Sequence, residues 1–132
     1  PFANLVTAEG LAHIHDAIDA HSAAHAAALA ADDREAAARA ARDLRYWTHR
    51  RNSAQVQPVP VDTEIVAFGS LVEIEREDGR RSEFRIVGED EADPAQGLLS
   101  WVSPLGRAMM GKEVGEEIEA GATEATIIAI AV

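Results

Sequence analysis

Between Thr7 and Ser53 the chain carries two helical seams separated by a short acidic break, which constrains the fold more than any other feature of its 132 residues. Leu11, Ile14, Ile18, His21, His25 and Ala28 recur at spacings of three and four, placing them on one face of a helix. Ala37, Ala40, Leu44, Trp47 and Arg51 repeat the pattern after the break. Thr7, preceded by Leu5 and Val6, is the expected N-cap. The break lies in ALAADDREAAAR, residues 28–39, where Asp32, Asp33 and Glu35 interrupt a run of alanine, the strongest helix former. Folding back at residues 31–34 sets the seams face to face and antiparallel. Ile18 then lies opposite Trp47, His21 opposite Leu44, His25 opposite Ala40 and Ala28 opposite Ala37. A single continuous helix is the competing reading, since the break holds no Gly or Pro. The turn and cap preference of Asp, and the loose capping-box spacing of Asp32 and Glu35, favour the hairpin. Large side chains lie toward its open end and alanines toward the turn, so the tip is slim and buries little area.

From residue 54 the pattern changes. AQVQPVPVDTE, residues 54–64, holds two prolines that cannot continue a helix, and reads as a linker or a first extended segment. Ser70–Arg76 and Arg81–Val87 alternate like strands around an Asp78-Gly79 turn. Gly97–Ser103 reads as a third strand. Ser103-Pro104 is a cap followed by a first-turn proline, opening a short helix that stops at Gly111. EEIEA and ATIIAIAV supply two closing strands. The expectation is an α+β chain, with an antiparallel coiled-coil hairpin over 1–57 and a small β-sheet domain with a short helix over 58–132.

Charge is divided unevenly between these parts. Residues 1–57 hold six Arg against seven acidic residues, whereas residues 58–132 hold six basic against sixteen acidic ones. A net charge of −11 repels phosphate backbones, so independent, sequence-specific DNA binding is not expected and a basic protein surface is the better partner. The same charge also serves solubility. Without cysteine the chain has neither disulfides nor thiolate metal sites. No apolar run reaches the length of a membrane span, and the N-terminus lacks a signal-peptide pattern, so the expected location is cytoplasmic, away from membranes. His21 and His25 stand at i, i+4, a spacing that suits zinc, but a third ligand would have to come from Asp43 or another residue on the facing helix, where the paired positions Leu44 and Ala40 offer none. Polar residues on such a seam more often set register than bind metal. No Ser-His-Asp signature, phosphate-binding glycine loop or dinucleotide fingerprint is present, so no self-contained active site is expected. The carboxylates at the turn are hard oxygen ligands suited to Mg²⁺, but nothing beside them would hold a substrate.

Phe68–Glu119 resembles the C-terminal domain of the bacterial Gre transcript-cleavage factors (GreA and GreB). RIVGEDEAD, Gly97–Ser100, SPLGRAMMGKE and Gly115-Glu116-Glu117 match that family's pattern in order and spacing. NSAQV, residues 52–56, is similar to the end of the family's second coiled-coil helix. The resemblance implies a coiled coil joined to a domain similar to FKBP, which docks on the rim of RNA polymerase's secondary channel. It implies that tip carboxylates enter the channel and help hold a second Mg²⁺ and the water that hydrolyses a backtracked transcript. On this reading the factor has no cofactor of its own and is not an enzyme. It lends Asp32 and Glu35, with Asp33 beside them, to a Mg²⁺ shared with the polymerase, and meets transcript RNA only within that complex. Docking would fall to Asp90, Glu91, Asp93, Ser103 and Pro104.

Two departures bear on this. The family's tip has Gly before the first Asp and Glu-Asn after it, where this chain has Ala31 and Glu35-Ala36. Both arms are also shorter, by roughly two to three turns, or about 12–15 Å of reach. The alternative is therefore a regulator that binds the channel entrance, competes with other channel factors and does not stimulate cleavage. The regulator of nucleoside diphosphate kinase, a short-hairpin relative, is similar in architecture. A stand-alone prolyl isomerase is disfavoured, since a similarity of fold does not carry function.

Overall fold

The computed structural model describes residues 2–132. Helix α1 (Ala8–Ala30) begins at Thr7, whose hydroxyl accepts the Gly10 N–H at 2.9 Å as the sequence predicts. It ends in a Schellman closure, with the Asp33 N–H donating to the Ala28 carbonyl at 2.9 Å and the Asp32 N–H to that of Leu29 at 3.2 Å. That closure needs a left-handed residue just past the helix, and Asp32 supplies it at φ 54°. Aspartate tolerates this conformation better than alanine. The next residue is left extended, and so Asp33, not Asp32, caps α2 (Arg34–Ser53), accepting the Ala36 N–H at 3.1 Å. The expected hairpin forms, but the Asp32–Glu35 capping box does not.

Ile14, Ala28 and Ala40 are buried between the helices. Leu11, Ile18, His21, His25, Ala37, Leu44 and Trp47 are half-buried, so the two seams face each other as expected. Trp47 also meets the His13 ring edge-on at 5.6 Å. Arg51 departs from the pattern. It is exposed, and Arg50 takes the inward position. Seam spacings of three and four are both helical, and the choice between them here is made by a carboxylate from the second domain.

The hairpin's open end is tied by a two-residue parallel ladder of β1 (Leu5–Val6) with β2 (Gln55–Val56). The segment 54–64 is thus extended at its start, and the N-terminal strand is an element the sequence did not reveal. Next come β3 (Leu71–Arg76), β4 (Arg81–Val87), β5 (Leu98–Ser100), α3 (Pro104–Met109), β6 (Glu117–Ala120) and β7 (Thr123–Ala131). Among the described residues they form one mixed sheet in the order β5-β4-β3-β7-β6. Val72, Ile74, Ile86 and Ile127 fill its inner face against Met109 of α3, each within 0 % of full burial. The expected third strand ends at Ser100 rather than Ser103. Beyond it the chain turns into the cap of α3, where the Ser103 hydroxyl donates to the Ser100 carbonyl at 2.7 Å and accepts the Gly106 N–H at 3.0 Å. The helix itself stops at Met109, two residues before Gly111.

One pairing places the candidate site. β5 runs parallel to β4, so the intervening chain must cross back over the sheet instead of turning tightly. That crossover, residues 88–97, contains two short 3₁₀ turns, Glu89–Glu91 and Pro94–Gln96. It carries the acidic GEDEAD motif to the base of the helical hairpin.

Candidate functional site

Asp32, Asp33 and Glu35 are all exposed at the end of the hairpin. The left-handed turn holds Asp32 at the corner, and one Asp33 oxygen is engaged as the α2 cap. Ala30, Ala31 and Ala36 surround them, so no bulky side chain shields the carboxylates. Among the described residues, no three or more His, Asp or Glu side chains converge as a metal ion requires. The tip alone is therefore not a metal centre, and it can contribute hard oxygen ligands only beside another group's. The histidine seam gives the same result. His21 Nδ1 lies 3.9 Å from Asp43 Oδ2, a close approach to the facing helix, but among the described residues no third ligand joins them.

The GEDEAD residues lie at the opposite end of the helices and bind the hairpin. Asp90 accepts the Arg50 Nε–H at 2.6 Å on one oxygen and the Tyr46 hydroxyl at 2.5 Å on the other. Its side chain is 7 % exposed and that of Arg50 15 %. Arg50 Nη2 also donates to Asn4 Oδ1 at 2.7 Å and to Glu89 at 3.2 Å. Asn4 is buried, and its amide returns a hydrogen bond to the Arg50 carbonyl at 2.8 Å. Glu91 completes the junction at the N-terminus of α1. It accepts the Thr7 hydroxyl, the Thr7 N–H at 3.2 Å and the Gly88 N–H at 3.2 Å. A carboxylate there also complements the helix dipole.

Electrostatics follow this geometry. Partial burial opposes the charge on Arg50, but hydrogen bonding to Asp90 and the Asp90 charge outweigh it and raise its pKa further above the usual arginine value. For Tyr46, partial burial and then the hydrogen bond to Asp90 push the phenol up to about 12 from its ordinary 10.0. The folded state therefore keeps a proton that the unfolded chain loses first. Its contribution to stability is complete below pH 10 and is lost as the pH rises through about 12. Tyr46 is the only tyrosine, so ultraviolet titration reads it directly. The expected midpoint lies above that of free tyrosine and falls in Asp90→Asn; an unshifted wild-type midpoint contradicts the Tyr46–Asp90 bond.

The remaining sequence-predicted docking residues are more open. Asp93 and Pro104 are exposed, while the Ser103 hydroxyl is committed to capping α3. Beside them Phe2 packs edge-on to Trp101 at 5.8 Å, with the Arg107 guanidinium over the Phe2 ring at 5.5 Å. The structure brings Asp90 and Glu91 together with Arg50, Tyr46 and Asn4, three residues the sequence did not single out, and with Thr7, which it gave only as the α1 cap. One signal was available. Gly10 sits in the first turn of an alanine-rich helix, where only a close approach explains a missing side chain, and a Cβ there would overlap the Glu91 carboxylate. At the far end of the sheet, two shallow depressions of about 350 and 400 Å³ are lined by Glu75, Glu77, Glu117, Glu119 and Glu124. They hold no constellation of nucleophile and base.

The family model described as transcription elongation factor, GreA/GreB, C-terminal, matches residues 61–131, more than half of the chain. The chain is 40 % identical over 83 residues to transcription elongation factor GreB of Neisseria meningitidis serogroup B, covering 58 % of this chain and 48 % of that protein. It is 46 % identical over 69 residues to transcription elongation factor GreA of Nitratidesulfovibrio vulgaris, covering 49 % of this chain and 42 % of that protein. The chain spans about half the length of the curated relatives it matches. Among solved structures, the GreA factor homolog 1 protein of Thermus thermophilus superposes with a TM-score of 0.50 at 19 % identity, over 99 % of this chain and 100 % of that one. That likeness is one of fold.

Proposed function

Because the chain belongs to the GreA/GreB family of transcription elongation factors, we propose that it binds RNA polymerase at the secondary-channel rim and directs its tip carboxylates toward the active site. The unit 58–132 docks and the unit 1–57 reaches inward. The observation that carries this reading is the exposure of Asp32, Asp33 and Glu35 on a slim alanine tip at the end of the hairpin. Asp32 and Glu35 have their carboxylates free to bind a Mg²⁺ shared with the polymerase. Asp33 holds the turn and adds charge. A bound Mg²⁺ would supply Lewis-acid activation of water there, and the chain's part is to place oxygen ligands and negative charge. The protein stimulates the polymerase's own chemistry and is not itself an enzyme. It meets transcript RNA only inside the complex, which places its work in the cytoplasm. Among the described residues no helix is long and apolar enough to cross a membrane. Asp93 and Pro104 are the docking residues open to a partner, and Asp90 and Glu91 act from within the chain.

A second reading is favoured by helix length. With 23 and 20 residues, α1 and α2 extend only about 35 and 30 Å. Metal ligation tolerates errors of only a few tenths of an ångström. A hairpin that stops short would occupy the channel entrance and exclude other channel factors without stimulating cleavage. Both readings require polymerase binding, which equilibrium binding to core RNA polymerase measures, with a full-length GreA as competitor. Mutually exclusive binding is expected. Simultaneous binding of the two factors, or no binding, overturns both readings.

A further inference from the structure

We propose that the junction formed by Arg50, Tyr46 and Asn4 with Asp90, and by Thr7 with Glu91, is a positioning clasp that fixes the direction in which the hairpin tip leaves the sheet domain. The covalent connections are too few to do this. One strand crossing, Leu5–Val6 beside Gln55–Val56, ties the two ends of the hairpin to each other rather than to the sheet. Leu5 packs on the sheet's apolar core and Phe2 on Trp101, but both precede the helices. The polar contacts to the helices themselves come from the crossover, residues 88–97, and its two acidic contacts grip different helices. Asp90 holds α2 through Arg50 and Tyr46, and Glu91 holds the start of α1 through Thr7. Two grips on two helices fix rotation as well as distance, which a single contact cannot do.

Backbone shape supports the same conclusion. Gly10 leaves room for the Glu91 carboxylate against α1, and a Cβ on Gly88 would collide with the Leu5 carbonyl. Both glycines lie where the two units meet. At Gly88 φ is −77°, an angle open to any residue, so the demand there is for space. Charge fits as well, because the one strongly inward-facing guanidinium of α2 meets the acidic crossover. Arg50 and Glu91 are thus positioning residues. Their effect on the polymerase rests on the function proposed above, whereas the geometry of the clasp does not.

Cysteine is absent, so a spin label placed at each of two introduced cysteines reports one distance. Ala31→Cys at the tip and Ala122→Cys at the β6–β7 turn are both exposed positions. Pulsed electron paramagnetic resonance is expected to give a narrow distance distribution in the otherwise unaltered chain. Adding Asp90→Ala and Glu91→Ala is expected to widen it at least twofold, with helical circular dichroism and the sheet's unfolding transition retained. A contact that only stabilises would lower the melting temperature and leave the width unchanged, and that result overturns the proposal. If the double variant fails to fold, Asp90→Asn is measured instead, with broadening again expected and an unchanged width again contradicting it. In the polymerase assay the clasp variants are expected to bind normally but lose the effect of the tip. Failure of polymerase binding by the unaltered chain would remove the proposed function and leave the distance result standing.

Discussion

Exchanging Asp32 for Asn together with Glu35 for Gln is expected to return transcript cleavage in a backtracked elongation complex to the rate of polymerase alone, with the hairpin's melting temperature preserved. The choice of substitutions follows from the turn. Asp32 sits at φ 54°, where alanine is strained but asparagine is tolerated, so Asp32→Ala would confound lost charge with a weakened turn. Glu35 lies in the first turn of α2, and glutamine keeps its length and helical preference. Asp33 is left intact because it caps α2 through the Ala36 N–H at 3.1 Å, and removing a cap of this kind costs about 1 kcal/mol. A double variant that stimulates as well as the unaltered chain contradicts the role of the tip. An unaltered chain that binds and competes without stimulating selects the regulator reading instead.

Ile14→Ala is expected to lower stability by about 3 kcal/mol, since Ile14 is fully buried at 0 % exposure. Ala28→Gly, nearer the turn, is expected to cost only about 1 kcal/mol, mainly the difference in helix propensity. The contrast expresses how the hairpin is built. Its cohesion comes from the large side chains toward the open end, and the alanines allow a narrow tip without much buried area. Chemical denaturation followed by circular dichroism measures both variants. Equal losses would mean that the tip contributes as much cohesion as the base, contrary to this gradient.

What the sequence reveals and what it hides divide along physical lines. Both seams, the Thr7 cap, the Asp78-Gly79 turn and the Ser103-Pro104 helix start depend on neighbours within a few residues, and all were legible. The identity of the α2 cap was not, because Asp32 and Asp33 are chemically alike and only the Schellman closure of α1 distinguishes them. Arg50 and Arg51 posed the same difficulty. Their choice was made by Asp90, forty positions away. The β1–β2 ladder is two residues long on each side, too short to show any alternation. The exposed carboxylates of the tip were readable as a cluster. The family resemblance gave Asp90 and Glu91 a docking role; their bonds to the hairpin were not legible, because they depend on the parallel β4–β5 crossover that brings both residues to its base.

The central claim is that the acidic end of the hairpin works inside the polymerase channel. A photo-crosslinking residue at Ala31, beside the tip carboxylates and exposed, tests it directly in a complex with RNA polymerase. The account predicts crosslinks to polymerase segments lining the secondary channel, lost when a full-length GreA is added in excess. Crosslinks confined to the outer surface of the polymerase, or unaffected by that competitor, would contradict it.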